Sequence, residues 1–149
     1  MATFKFRLAT LLKLREIKRD VSRGEYADAL RALDVLRSQR ASLDDELRSL
    51  RAARTSQRGV LNIDLLIQSS QHELLLRAQA GLLDKQSAEV QAEIERRRSK
   101  LMEADREVKV LEKLRDRQSQ SFEQEQRRRE AKEMDDISHL QAAHGSKDE

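Results

Sequence analysis

The residue types that most often carry chemistry are few in this sequence. Its three histidines are His72, His139 and His144, and it has no cysteine. A helical metal site needs two ligands about one turn apart, and no histidine lies four residues from another. There is no GxxxxGKS/T loop to cradle a phosphate, no GxGxxG turn and no GxSxG elbow. Carboxylates are plentiful, 27 in all, but two-carboxylate catalysis needs a pocket that holds a substrate and shifts a pKa. We therefore expect no enzyme activity, no cofactor and no metal, with the histidines solvated on helices or in the tail.

Basic residues suggest binding instead. The triplets Arg96-Arg97-Arg98 and Arg127-Arg128-Arg129 are interleaved with Glu93, Glu95, Glu125 and Glu130 at helical spacing, which favours intrahelical ion pairs. Aromatic platforms for bases are missing, with three Phe, one Tyr and no Trp, so a nucleic-acid partner is not expected. Lys13, Arg15, Lys18, Arg19 and Arg23 are less compensated and sit beside an apolar group, which suits an acidic protein partner or an anionic surface.

Charged residues make up 38% of the 149-residue chain, there is no Pro, and Gly occurs four times. This is the alphabet of long helices and coiled coils, and the alternating β-branched runs of strands are absent. Residues 1–58 carry 14 Lys/Arg against 8 Asp/Glu, which makes the first arm the basic one. The uncharged, apolar-rich run Leu65 to His72 is too short to span a bilayer, and Lys5, Arg7, Lys13 and Arg15 interrupt any targeting-type apolar core.

Two apolar series step by three and four. The first is Tyr26, Ala29, Leu33, Leu36, Arg40, Leu43, Leu47, Leu50, Arg54. The second is Leu76, Ala80, Leu83, Ser87, Val90, Ile94, Arg97, Leu101, Ala104, Val108, Leu111. Both have the spacing of coiled-coil seams. Upstream of the first, the register slips near Gly24, where we expect a bend or a register shift. Between the series, Gly59 is placed to end one helix as a left-handed cap and Asn62 to start the next.

The expected fold is all-α: one antiparallel two-helix coiled-coil hairpin over residues 1–143, with the second helix extending past the first. Its parts are a helix at about 4–58, a turn at about 59–62 and a helix at about 63–143, followed by a disordered tail at 144–149. With the fold centre near residue 60, residue i lies opposite roughly residue 121 minus i. The seam would then lose its partner at about Leu114, leaving Asp116 to Phe122 as the start of an uncovered overhang, about 40 Å long at 1.5 Å per residue. An unturned helix paired with a second chain would exceed about 200 Å at the same rise. Leu65, Leu66, Ile67, Leu74, Leu75 and Leu82 exceed what one partner arm can cover, and Met134, Ile137 and Leu140 form a short stripe on the overhang; such residues close a hairpin head or make protein contacts.

Three segments carry a family resemblance: FRLATLLKLREI at Phe6–Ile17, EADREVKVLEKLRDRQSQSF at Glu103–Phe122, and RRREAKEMDDIS at Arg127–Ser138. With the E-x-K-x-M/L-D-[DE] ending matched by Glu130, Lys132, Met134, Asp135 and Asp136, the chain resembles the flagellar type III export protein FliJ. The resemblance implies a cytosolic stalk, similar to the shaft of rotary ATPases, that associates with a hexameric export ATPase, the cytosolic domain of the membrane export gate and export chaperones, and with the inner membrane only peripherally. It implies an ATPase-facing end spanning Phe4–Arg23 and Leu114–Leu140. On the first arm that end takes in Phe4, Leu8, Leu11, Arg15, Lys18 and Arg19. On the second it takes in Leu114, Asp116, Arg117, Gln118 and Phe122, then Arg129, Lys132, Met134, Asp135 and Asp136. The implied gate-facing surface is Leu66, His72, Leu76, Gln79 and Leu83, where relatives often place aromatics and this chain has Leu, Ile and His. Stalks of virulence type III secretion share the shape, and a coiled-coil scaffold without an ATPase partner is the reading from another class.

Overall fold

The computed structural model describes residues 3–56, 59 and 62–145. It is an all-α hairpin of two helices, α1 (Ala9–Ser56) and α2 (Ile63–Gly145), with no strand among the described residues. Two compact units divide the chain: Asp20–Glu103, and Met1–Arg19 with Ala104–Glu149.

In the unit of residues 20–103 the seam follows both expected series. Ala29, Leu33, Leu47, Leu76, Ala80 and Ile94 are buried, and the remaining members are half-buried. Ala29, Leu33 and Ile94 form a core cluster with Tyr26 and Val90 packed against it. Small buried side chains such as Ala29 and Ala80 let the helices approach closely, so the core is thin and rests on many shallow contacts rather than a few large ones. No register shift occurs at Gly24. Helix α1 continues through it, and the buried Ser22 falls in step with Tyr26 and Ala29. Sequence reading finds a slip there because the seam residues between Leu12 and Tyr26 are polar, while the apolar Leu14, Ile17 and Val21 point outward.

At the turn, Asn62 acts as expected: its Oδ1 accepts from the Asp64 N–H at 3.2 Å, and its carbonyl accepts the first helical bond from Leu66 N–H at 3.1 Å. Gly59 does not act as a left-handed cap. No described glycine has a positive φ. The hydroxyls of Thr55 and Ser56 donate to the carbonyls of Arg51 and Ala53 at 3.0 and 2.9 Å, supplying the terminal carbonyls with partners by another route. Residues 57, 58, 60 and 61, and with them half of the expected turn, lie outside the described residues.

In the other unit, Leu12, Ala104 and Val108 are buried, Val108 completely. The first arm is not helical from residue 4; α1 begins at Ala9. Phe4, Phe6 and Leu8 are half-buried while Lys5 and Arg7 are exposed. That is a period of two, which suits a non-helical segment lying along a surface. Such a segment advances up to about 3.3 Å per residue against 1.5 Å in a helix, so a few residues reach far. The Phe4 and Phe122 rings meet with centroids 5.9 Å apart, tilted by 47°. The overhang consequently starts later than Leu114. Leu114, Ser119, Phe122 and Gln126 are half-buried, and every described side chain from Arg127 to Ala142 is exposed. Helix α2 also passes the expected end at 143 and continues through Gly145, with residues 146–149 outside the described set.

Candidate docking surfaces

No chemistry-bearing constellation assembles among the described residues. Among the described residues no group of His, Asp and Glu could hold a metal, and His72 and His139 are exposed. The concavities are open grooves between helices rather than enclosed sites. What the fold offers is surface: one charged and one uncharged groove in one unit, and an uncovered run of helix in the other.

In the unit of residues 1–19 and 104–149, the candidate residues separate into two groups. Arg15 and Lys18 both donate to Glu107 Oε2, at 2.8 and 3.3 Å, fastening the first arm to α2. Phe4, Leu8, Leu114 and Phe122 are half-buried in the same way. These residues hold the end together before they meet any partner. Arg19 is half-buried as well. The outward group is Leu11, Leu14 and Ile17 on α1, 37%, 59% and 52% exposed, and on α2 Asp116, Arg117 and Gln118 followed by Arg129, Lys132, Met134, Asp135 and Asp136. Met134, Ile137 and Leu140 stand out at three-residue steps on the bare part of α2. Sequence reading places Leu14 and Ile17 in the apolar group but not on an outer face; their offset from the seam positions Leu12, Arg15 and Arg19 was the available signal.

In the unit of residues 20–103, three arginines converge on one carboxylate. Glu73 is buried in the seam, with Arg54 and Arg77 at 2.5 Å and Arg51 at 3.6 Å. Arg54 also donates to the Ser69 and Ser70 hydroxyls at 2.6 and 3.5 Å. Burial alone would raise the Glu73 carboxyl, but Arg77, Arg54 with its hydrogen bond, and Arg51 outweigh it and hold the group below the usual carboxylate range. Arg40 bridges α1 and α2 in a related way, donating to Asp84 at 2.9 Å and to Asp44. Hydrogen bonds from Arg97 and Arg96 likewise depress Glu93, and Arg97 reaches across to the Glu25 carbonyl at 2.7 Å. The first arginine triplet is thus engaged within the hairpin. Arg127, Arg128 and Arg129 are exposed and make none of the expected pairs with Glu125 or Glu130.

The expected gate-facing residues do not form one exposed patch. Leu76 is only 3% exposed, because it is a seam residue packed inside the hairpin. His72 and Gln79 are exposed and Leu83 is half-buried on one flank of α2, whereas Leu66 lies on the other. Gln79 and Leu83 line a groove with Gln39, Ser42, Leu43 and Leu82, so α1 contributes to that surface as much as α2.

The described residues thus form an all-α helical hairpin of the coiled-coil class, with a polar-studded seam, open grooves and a bare helical run on α2. The family model described as Flagellar FliJ protein matches residues 4–147, and the chain belongs to this family, which fits flagellar protein export. No curated protein and no solved structure matches the chain. No helix among the described residues is long and apolar enough to cross a membrane.

Proposed function

We propose that the chain is the stalk of a flagellar type III export ATPase complex, entering the hexameric ATPase ring with the end built from residues 1–19 and 104–149. The observation that carries this reading is the run from Arg127 to Ala142, helical and exposed on every described side chain. A lone helix that buries nothing within its own chain gains little from staying ordered unless a partner receives it. Leu14 and Ile17 on α1 and Met134, Ile137 and Leu140 on α2 supply apolar anchors, and Asp135 and Asp136 supply charge. The stalk performs no chemistry; it couples hydrolysis in the ring to export.

The groove lined by Gln39, Leu43, Gln79 and Leu83, with exposed His72 beside it, is the surface we assign to the cytosolic domain of the export gate. Export chaperones are further partners, and the protein resides at the cytoplasmic face of the inner membrane through these contacts. The test is co-purification with the cognate ATPase together with turnover measured at rising stalk concentration. Complex formation and a saturable change in turnover are expected; absence of both would remove the stalk reading.

A further inference from the structure

Asp44 and Asp84 line one end of the groove between α1 and α2 and Arg48 is paired with Asp45 at 2.5 Å, but the arginines nearer the turn outnumber the carboxylates they reach. The structure concentrates that surplus, because Arg51, Arg54 and Arg77 share the single carboxylate of Glu73. Arg51 and Arg77 remain 57% exposed, and with Arg48 they line an open groove between α1 and α2 that also takes in Ala80 and Gly81. Further along, the groove is electrostatically closed: Arg40 is already shared by Asp44 and Asp84.

Two more features belong to the same flank. Leu74, Arg77 and Gly81 stand at i, i+3 and i+7, so they share one face of α2, and Leu74 is 66% exposed with Ile67 50% exposed two turns before Leu74. Gly81 sits in the helix interior, where it costs about 1 kcal/mol relative to Ala. A Cβ placed there would meet nothing within 4 Å, so the chain's own packing gives no use for the missing side chain. A helix approaching from outside would, since small residues allow backbones to come close.

We propose that this groove receives an acidic amphipathic helix from another protein. Its apolar stripe lies on Ile67 and Leu74 and crosses at Gly81, and its carboxylates meet Arg51 and Arg77. Charge complementarity fixes the sign of the partner. The absence of any Phe, Tyr or Trp between Tyr26 and Phe122 argues for a protein rather than a lipid interface, where aromatic anchors are enriched. The surface is on the opposite flank of α2 from Gln79 and Leu83 and is independent of ring docking.

The experiment uses the full chain and three probes: a fluorescent designed helix with leucines at helical spacing and glutamates on its flanks, the same peptide with lysine for glutamate, and phosphatidylglycerol vesicles. The acidic peptide should bind at least about tenfold tighter than the basic one, and more weakly as salt rises. Gly81→Leu and Leu74→Ser should each weaken it about tenfold with circular dichroism unchanged, while Gln79→Ala leaves affinity as it was. Equal affinity for the two peptides would overturn the proposal. So would binding indifferent to both Gly81→Leu and Leu74→Ser, or association with vesicles alone.

Discussion

The Phe4 and Phe122 rings meet at 5.9 Å although 118 positions separate them in sequence, and their contact carries the chain's cover of its own second helix past Leu114. Phe4→Ala should cost about 1–2 kcal/mol through lost aromatic contact and burial. Hydrogen exchange should report the loss locally, with faster exchange near Ser119 to Gln126 and none near Ile94.

Val108 is fully buried and Val110, two residues on, is 65% exposed. Val108→Ala should destabilise by about 2 kcal/mol, whereas Val110→Ala should stay within about 0.5 kcal/mol of the parent. Thermal denaturation of the pair checks the register of α2 directly.

Glu73 and Glu93 are held below the usual carboxylate range, Glu73 by Arg77 and Arg54 against its burial and Glu93 by hydrogen bonds from Arg97 and Arg96. A depressed folded pKa contributes stability that is full above the unfolded pKa, whose ordinary value is 4.5, and is lost as pH falls from there through the folded value. Melting temperature should therefore be flat near neutrality and fall in acid. Glu73→Gln should lower it at neutral pH by about 3–6 °C and flatten the acid limb.

Gly24 lies within α1 with nothing within 4 Å of a built Cβ and no positive φ. Gly24→Ala should stabilise by about 0.5–1 kcal/mol. A loss of stability would mean that the helix needs a bend there after all.

The hairpin was readable because its seam is regular: every residue of both series is buried or half-buried, and Asn62 caps α2 as its type suggests. Polar seam positions hid the rest. Arg15, Arg19 and Ser22 disguise a continuous register as a slip, and Glu73 is legible only in retrospect, as the carboxylate that a seam Arg54 demands. The alternation of Phe4, Phe6 and Leu8 was a period-two signal inside a helix-forming sequence, and missing it shifted the boundary of the overhang from Leu114 to Gln126. Surfaces were hardest, because Leu76 and Leu74 have the same residue type and only the fold separates core from face.

The measurement closest to the central claim compares the full chain with one truncated after Gln126, both titrated into the cognate export ATPase. Every described side chain that the truncation removes, Arg127 to Ala142, is exposed, so its melting temperature should be unchanged. The account predicts that the full chain binds and alters turnover, while the truncated chain does so at least about tenfold more weakly. Equal binding and equal turnover by the two would contradict it.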